Sequence, residues 1–289
     1  MKVLLYIKRA IKYIVFGQPT IINKVVPEIV MLSPSELLKG KTALVTGGTN
    51  GIGLAISEAF LRAGASVIIT SRNKERAIHV AKQLEEKTKG YVRGIALDNT
   101  NIKSMEKCFD EVLSLTKNRS IDILVNNAGI GMGMVVGNEE NEYDVIMDTN
   151  LKGTYFLSKV VSAHMRENGI PGNILNICSS SSLRPAVQPY TLSKWGLRGL
   201  TLGMAKALCK YGIIVNGLAP GPTISGMTLE TEEEIYKGDS PIGRFILPVE
   251  IANMAVMLVS NVGRSIVGDV VYMTGGAGLI SYEDMKYEF

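Results

Sequence analysis

Seven short apolar runs alternate with segments of helical periodicity between positions 41 and 273, and this alternation constrains the fold more than any other feature. The apolar runs are predicted strands, at 42–46, 66–70, 91–97, 121–126, 173–178, 213–218 and 269–273. The intervening segments are predicted helices, at 52–62, 74–86, 102–117, 143–166, 195–210 and 249–260. This order indicates one doubly wound, mostly parallel α/β sheet flanked by helices, without a second domain or an internal repeat.

The composition agrees with a sheet that is covered on both faces and argues against a nucleic-acid partner. Hydrophobic residues make up 46% of the 289 residues, and buried parallel strands are continuously apolar rather than alternating. The formal net charge is only +4, and Lys and Arg are scattered along the chain instead of forming a basic block. Because phosphate backbones bind clustered cations, we expect no nucleic-acid binding.

Cysteine and histidine usage disfavours a disulfide framework and a histidine-based site. Cys108, Cys178 and Cys209 lie far apart and form no CxxC pair, which is typical of free thiols in a reducing compartment. His79 and His164 are the only histidines, and both lie in predicted helices. We therefore expect a cytoplasmic protein without a metal site or a Ser-His-Asp triad.

The N-terminal 39 residues differ in character from the main domain, which is predicted over 40–289. Residues 1–17 place basic side chains on one side of a helix and apolar side chains on the other. The prolines that follow indicate an extended connector up to position 39. Charges interrupt the apolar stretch, so neither a membrane-spanning helix nor a secretory signal is expected. Two interpretations stay open: a helix resting on an anionic membrane surface, or a helix packed on the main domain or on a neighbouring subunit.

A glycine-rich turn follows the first predicted strand and precedes the first predicted helix. Glycines in such a turn let main-chain N–H groups approach a phosphate, and the positive end of the helix dipole adds to the attraction. This placement favours a dinucleotide-binding loop over an ordinary turn. The residues predicted to surround the phosphates are Thr46, Gly47, Thr49, Asn50, Gly51, Ile52 and Gly53.

The next strand ends favour NADP(H) over NAD(H). An NAD-selective site usually has an acidic residue after the second strand, but this chain has Ser71 and Arg72 there, and an arginine can bind a 2′-phosphate. The alternative is that Arg72 is a solvated loop residue. Asp98, followed by Asn99, ends the third strand and is placed to accept a hydrogen bond from an adenine amino group. The fourth strand ends in a turn whose residues are predicted to contact a ribose: Asn126, Ala128 and Gly129.

These motifs, with others farther along the chain, resemble short-chain dehydrogenases/reductases in kind and in order. They are TGGTNGIG at 46–53, Asp98, NNAG at 126–129, Asn150, the serine run at 179–182, Tyr190-x-x-x-Lys194, Pro220-Gly221, PIGR at 241–244, PVEIA at 248–252 and TGG at 274–276. The resemblance covers residues 40–280 and is nearest in style to 3-oxoacyl-carrier-protein reductases and hydroxysteroid dehydrogenases. It implies a seven-stranded Rossmann-type sheet and hydride transfer between a nicotinamide cofactor and a carbonyl or alcohol carbon.

The resemblance implies a catalytic set of Asn150, Ser179, Tyr190 and Lys194. Tyr190 and Lys194 are four residues apart and therefore share one face of a helix. Tyr190 would act as general acid in carbonyl reduction and as general base in alcohol oxidation. Lys194 would assist that proton exchange by its charge and would also bind the nicotinamide ribose. Asn150 corresponds to the family asparagine that holds a water in the proton relay.

The serine run leaves a choice between two residues for the hydroxyl that hydrogen-bonds the substrate oxygen. Alignment of the NICS segment at 176–179 with the family pattern favours Ser179, and Ser180 is the alternative. The last two serines of the run are expected to cap or shape the following turn. Ser179 precedes Tyr190 by 11 residues, slightly fewer than is usual in the family, so a short loop is expected between them.

Two further segments are expected to complete the site. After the sixth strand, the resemblance places Pro220, Gly221, Thr223 and Ser225 around the nicotinamide carboxamide. Residues 223–247 are expected to form a substrate lid. The GMGM segment at 131–134 is expected to line the opposite wall, where flexible methionines fit an apolar or adaptable pocket.

The leading interpretation is an NADP(H)-dependent enzyme that interconverts a small-molecule carbonyl and a secondary alcohol. The alternatives are a sugar, polyol or steroid dehydrogenase with the same catalytic set, and a cofactor-binding scaffold that has lost turnover. A scaffold has no need of all four catalytic residues and is disfavoured for that reason. The resemblance also implies a homo-oligomer, a tetramer or a dimer, assembled through the long helices on either side of the fifth strand.

Overall fold

The structure of the chain is a computed structural model that describes residues 34–134, 137, 139–224, 241, 242 and 244–277. The predicted N-terminal amphipathic helix at 1–17 lies outside the described residues. The same holds for Ser225 and for most of the predicted lid. The connector prediction likewise falls outside them up to position 33.

Seven parallel strands form one sheet, as the alternation of the sequence predicts. The strands are Thr42–Val45 (β1), Ser66–Ser71 (β2), Val92–Ala96 (β3), Ile123–Asn126 (β4), Asn173–Ile177 (β5), Ile214–Pro220 (β6) and Val270–Met273 (β7). Their order across the sheet is β3-β2-β1-β4-β5-β6-β7. The chain therefore winds outward in two directions from β1 and β4, and the doubly wound fold is confirmed.

Helices cover both faces of the sheet. They are Gly51–Arg62 (α1), Lys74–Thr88 (α2), Met105–Ser114 (α3), Glu139–Met147 (α4), Gly153–Glu167 (α5), Pro189–Leu208 (α6) and Pro248–Val259 (α7). Apolar residues of α1, α2 and α7 share one core with the sheet, and those of α3, α5 and α6 share the other. None of the described helices has the length and apolar composition that crossing a bilayer requires.

The strands are mostly apolar because both of their faces are buried. In β1, Ala43 and Val45 belong to the core beneath α1 and α7, whereas Leu44 belongs to the core beneath α3 and α5. All three side chains are fully buried. Successive side chains of a strand point to opposite faces, so both sets of side chains are buried in a strand that helices cover on both sides.

Two helical segments differ from the sequence prediction. The stretch predicted as one helix at 143–166 is divided by a π-helical turn, Asp148–Lys152, between α4 and α5. A one-residue insertion of this kind leaves the apolar period almost unchanged, so the sequence pattern does not reveal it. Helix α6 begins at Pro189 rather than at Trp195. Pro189 lies in the first turn, where a missing N–H leaves no intrahelical bond unmade.

The two ends of the predicted lid lie side by side. The main-chain N–H of Ile246 donates to the carbonyl of Pro222 at 2.9 Å, and the N–H of Ile224 donates to the carbonyl of Ile246 at 3.0 Å. Ile246 itself is buried in the core. The segment that leaves the sheet after β6 is therefore paired with the segment that enters α7.

An ion pair fixes the entry into α7. Both guanidinium Nη atoms of Arg244 donate to the Glu250 carboxylate, at 2.8 and 2.9 Å. The same carboxylate accepts from the main-chain N–H of Leu247 at 2.8 Å, which caps the first turn of the helix. The Arg244 hydrogen bonds, followed by the Leu247 N–H, lower the pKa of Glu250 from 4.5 to about 2.

We predict that Glu250→Gln lowers the free energy of unfolding by about 1 kcal/mol at pH 7, because it weakens a helix cap and its ion pair. The pKa of Glu250 is lower in the folded chain, so the carboxylate stabilises the fold above pH 4.5 and loses that effect as the pH falls towards 2. Urea unfolding of both proteins should therefore show a stability difference that is smaller at pH 3 than at pH 7.

The matched control is Glu86→Gln, since Glu86 is exposed on α2. We expect this variant to unfold like the wild type at both pH values. A Glu250→Gln deficit that stays the same from pH 7 to pH 3 would contradict the assignment of the cap to the ionised carboxylate.

Candidate active site

Two adjoining cavities lie at the carboxyl ends of the strands, the edge where ligands bind in a doubly wound sheet. The tyrosine-side cavity, of about 500 Å³, contains Tyr190 in its wall. The arginine-side cavity, of about 430 Å³, contains Arg72. They share five lining residues: Asn50, Arg76, Gly129, Ile130 and Met134. The two cavities therefore form one continuous cleft.

The cleft brings together most of the predicted site residues. Those that line the tyrosine-side cavity are Asn50, Gly51, Ile52, Gly129, Ser179, Tyr190, Lys194, Pro220, Gly221 and Thr223. Those that line the arginine-side cavity are Gly47, Thr49, Asn50, Ser71, Arg72, Asp98, Asn99, Ala128 and Gly129. The sequence analysis thus predicted residues at both ends of the same cleft.

The Lys194 side chain connects helix α6 to the end of strand β5. Its ammonium donates to the carbonyl oxygen of Ile177 at 2.9 Å, and the residue is only 6% exposed. The ammonium lies 5.7 Å from the centre of the Tyr190 ring, one helical turn earlier on the same face. A buried charge needs such polar partners, so the contact fixes where both side chains meet the cavity.

Asn150 lies in the π-helical turn, and its side chain hydrogen-bonds residues on two sides of the site. Its side-chain oxygen accepts from the N–H of Ile130 at 2.8 Å, and its side-chain nitrogen donates to the carbonyl of Ile130 at 2.9 Å. The same nitrogen donates to the Ser193 hydroxyl at 3.1 Å, and that hydroxyl donates to the carbonyl of Tyr190 at 2.7 Å. Asn150 does not line either cavity. It links the wall at Ile130 to the first turns of α6.

The serine run divides into one cleft residue and three turn residues. Ser179 lines the tyrosine-side cavity, and neither cavity is lined by the three that follow. The Ser179 hydroxyl accepts from the N–H of Ser181 at 3.1 Å, and the Ser182 hydroxyl donates to the carbonyl of Ser179 at 2.8 Å. These bonds form a tight turn around Ser179.

The short loop before Tyr190 is held at several points. The first half of the loop is a single 3₁₀ turn, Ser180–Leu183. The Trp195 indole N–H donates to the carbonyl of Arg184 at 2.7 Å, and the Arg184 guanidinium donates to the carbonyl of Ala277 at 2.8 Å. The loop is therefore attached both to α6 and to the segment that follows β7.

The glycine turn after β1 has the conformation that a phosphate loop requires. Gly47 and Gly51 have φ values of +62° and +51°, which side-chain-bearing residues rarely adopt. A Cβ on Gly53 would collide with the Asn127 amide and the Gly47 carbonyl. Asn50 precedes α1, and its side chain makes no capping hydrogen bond. The N–H groups at the start of α1 therefore face a cradle that suits an anion.

The arginine-side cavity is lined by two arginines and by polar side chains that can hydrogen-bond an adenine base. Arg72 and Arg76 are both exposed; Arg72 precedes α2, and Arg76 lies in its first turn. One carboxylate oxygen of Asp98 accepts from the N–H and the hydroxyl of Thr100, at 2.9 and 2.8 Å. The buried side-chain oxygen of Asn99 has no hydrogen-bond partner within the described part of the chain. These groups fit the adenosine end of a dinucleotide.

Four predicted residues lie behind the cleft instead of in its wall: Thr46, Gly53, Asn126 and Asn150. The Thr46 hydroxyl donates to the carbonyl of Val125 and accepts from the N–H groups of Asn127 and Ala128. The Asn126 amide donates inward to Ser158 and Asn176, both at 2.8 Å. Thr46 and Asn126 shape the turn, and Asn127 is the residue that lines the cavity.

Sequence reasoning missed Arg76, Asn127, Thr149, Ile177 and Cys178 as cleft residues. Arg76 lies in the first turn of α2, and only the direction of that helix brings it to the cleft. Cys178 is 3% exposed beside Ser179. Burial raises the pKa of its thiol to about 11, although the Lys194 charge opposes the rise. This cysteine is therefore a neutral wall residue near neutral pH.

Comparisons with known proteins agree with this arrangement. The family model described as short chain dehydrogenase matches residues 41–235. The 3-oxoacyl-[acyl-carrier-protein] reductase of Aquifex aeolicus is 36% identical over 245 residues, which is 83% of this chain and 98% of that protein. The gluconate 5-dehydrogenase of Gluconobacter oxydans is 33% identical over 83% of this chain and 95% of its own length. The solved RhlG/NADP active-site complex of Pseudomonas aeruginosa superposes with a TM-score of 0.77 at 29% identity, covering 86% of this chain and all of that one.

We predict that iodoacetamide at pH 8 modifies Cys209, which is exposed, and leaves Cys178 unmodified in the folded chain. With a pKa of about 11, Cys178 is ionised to only about one part in a thousand at that pH. Peptide mass spectrometry before and after unfolding in guanidinium measures both sites. A Cys209→Ser variant identifies the exposed site, and labelling of native Cys178 as fast as Cys209 would contradict its burial.

Proposed function

Because the chain belongs to the short-chain dehydrogenase family, we propose that it is an NADP(H)-dependent oxidoreductase that interconverts a carbonyl and a secondary alcohol. One observation carries the proposal. Ser179, Tyr190 and Lys194 line the same cleft as the glycine turn that suits a phosphate. A proton donor, an oxygen-binding hydroxyl and a nucleotide cradle are the groups that such a reaction needs.

The bound nicotinamide would supply or accept the hydride. The chain's own residues would hold the dinucleotide at the glycine turn, at Asp98 and Asn99, and at Pro220, Gly221 and Thr223. Ser225, also predicted to contact the carboxamide, lies outside the described residues.

Tyr190 moves the proton in this proposal. Its hydroxyl donates a proton to the substrate oxygen during reduction and takes it back during oxidation. The Ser179 hydroxyl hydrogen-bonds the same oxygen and stabilises the negative charge that develops there. Lys194, whose ammonium donates to the carbonyl of Ile177, would offer its remaining N–H donors to Tyr190 and the cofactor ribose. Asn150 holds the wall and the start of α6 in position, and a water held beside it would complete the relay.

Two arginines support the preference for NADP(H). Arg72 and Arg76 both line the arginine-side cavity, and the end of β2 carries Ser71 where an NAD-selective site has a carboxylate. Guanidinium groups form strong, charge-assisted hydrogen bonds with phosphate. The Pseudomonas aeruginosa RhlG structure is described as a complex with NADP, and it shares this fold.

A homo-oligomer in the cytoplasm is part of the same proposal. Large apolar side chains are exposed on the two helices beside β5: Tyr155 on α5 is 47% exposed, and Trp195 and Leu202 on α6 are 41% and 48% exposed. Apolar groups in such number on neighbouring helices favour burial against another subunit. A dimer or a tetramer assembled through α5 and α6 would cover them.

We predict that the purified chain oxidises NADPH in the presence of a ketone such as 2-octanone. Tyr190→Phe should lower kcat/KM by about 100-fold or more, since it removes the proton donor. Ser179→Ala should lower kcat/KM by about tenfold to 1,000-fold, since it removes a hydrogen bond to the developing oxyanion. Loss of NADPH absorbance measures all rates.

The control is Ser180→Ala, next to Ser179 and equally buried but outside the cleft wall. It should retain a rate close to that of the wild type. A Tyr190→Phe protein with undiminished turnover would remove the acid–base role, and a larger loss in Ser180→Ala than in Ser179→Ala would reassign the serine.

For the cofactor, we predict that replacing Arg72 and Arg76 by serine raises the Kd for NADPH by about tenfold or more, because charge-assisted bonds to the 2′-phosphate are lost. The Kd for NADH should change little. Arg264→Ser, at an exposed position outside the cleft, is the control. Tighter binding of NADH than of NADPH by the wild type would overturn the preference.

A further inference from the structure

The tyrosine-side cavity, which Ser179 and Tyr190 line, has several apolar side chains in its wall. Its described lining includes Ile130, Met132, Met134, Cys178 and Ile224. Only two charged side chains line the described part of this cavity, Lys194 and Arg76. Lys194 is buried and bonded to Ile177, and Arg76 also lines the arginine-side cavity. Among the described lining residues, Arg76 is therefore the one exposed cation, and it lies where the two cavities adjoin.

Several main-chain donors in and beside this wall are already engaged. The N–H of Ile130 donates to the Asn150 side chain at 2.8 Å, and the N–H of Gly131 donates to the Met134 sulfur at 3.2 Å. The N–H of Gly133 donates to the carboxylate of Glu142 at 2.6 Å. Across the cavity, the N–H of Ile224 is paired with Ile246. A carboxylate or a row of hydroxyls placed against these groups would lose water without gaining partners, which is costly.

The methionines make the same wall favourable for apolar surface. Met132 is 40% exposed and Met134 is 55% exposed, so each has apolar area that a ligand can cover. Covering such area is favourable in proportion to its extent. Methionine side chains also adapt to irregular shapes. Cys178, protonated through its burial, adds a further uncharged surface.

We propose that the site takes an uncharged, largely apolar ketone or secondary alcohol, and not a sugar acid or another polyhydroxylated anion. Met132 and Met134 are the specificity-determining residues. The proposal rests on the proposed oxidoreductase function, and it separates this chain from its relative named gluconate 5-dehydrogenase.

The test uses two ketones of the same length that differ at one end. 2-Octanone ends in a methyl group, and 7-oxooctanoate ends in a carboxylate on the same carbon skeleton. We expect kcat/KM with NADPH to be higher for 2-octanone by about tenfold or more, since the carboxylate must be desolvated against the methionine wall. D-Gluconate with NADP⁺ should give no turnover above background.

A binding measurement keeps this test independent of turnover. Calorimetric titration of the NADPH-loaded Tyr190→Phe protein with each ketone gives two dissociation constants without any reaction. If neither ketone consumes NADPH in the wild type, the proposed function fails, and the two dissociation constants still decide the question of substrate class. Equal or tighter binding of 7-oxooctanoate overturns the apolar assignment.

A positive charge placed on the methionine wall should weaken or reverse the preference for 2-octanone over 7-oxooctanoate. Met132→Lys should narrow or invert the ratio of the two kcat/KM values, mainly through a lower KM for 7-oxooctanoate. The matched control is Met257→Lys, because Met257 is 46% exposed on α7 and does not line the cleft. If Met132→Lys left the ratio of the two kcat/KM values unchanged, or if both variants changed it equally, the role of Met132 in substrate selection would be overturned.

Discussion

The buried ammonium of Lys194 is the interaction on which the geometry of the cleft depends. It lies against the carbonyl of Ile177, the last residue of β5, and so connects α6 to the edge of the sheet. A charge taken out of water requires polar partners at short range, which leaves little freedom in how the helix meets the strand. Tyr190, one turn earlier, is brought to the same cavity by that contact. The acid–base role proposed for Tyr190 therefore depends on the hydrogen bond that holds Lys194 at the end of β5.

A buried polar network beneath the cleft supports this contact. Asn126 of β4 donates to Ser158 of α5 and to Asn176 of β5, and Asn176 donates to Thr201 of α6 at 2.9 Å. Hydrogen bonds between buried polar groups favour one arrangement of the elements that carry them, and only the side-chain oxygen of Asn126 has no partner within the described part of this network. Two strands and two helices are joined in this way at one end of the sheet. The apolar cores hold the helices against the sheet, and these polar contacts determine how the helices and strands are positioned relative to each other.

The sequence predicted the fold and the ends of the cleft better than the direction of individual side chains. Alternating apolar runs sufficed for the doubly wound sheet, and the spacing of Tyr190 and Lys194 placed both on one helical face. Thr46 and Asn126 were predicted to contact cofactor but point into the protein, because a strand end identifies an edge and not the face on which each side chain lies. Arg76 was missed because it reaches the cleft only through the direction of α2. The π-helical turn around Asn150 was missed because one inserted residue barely changes the apolar period.

Diffraction from crystals of the full chain soaked with NADP⁺ tests the assignment of the cleft most directly. The expected difference density runs through both cavities without a break. It places the nicotinamide ring beside Tyr190 and Lys194, and the 2′-phosphate between Arg72 and Arg76. Density with the two ends reversed, or a dinucleotide bound away from the carboxyl edge of the sheet, would contradict the proposed function.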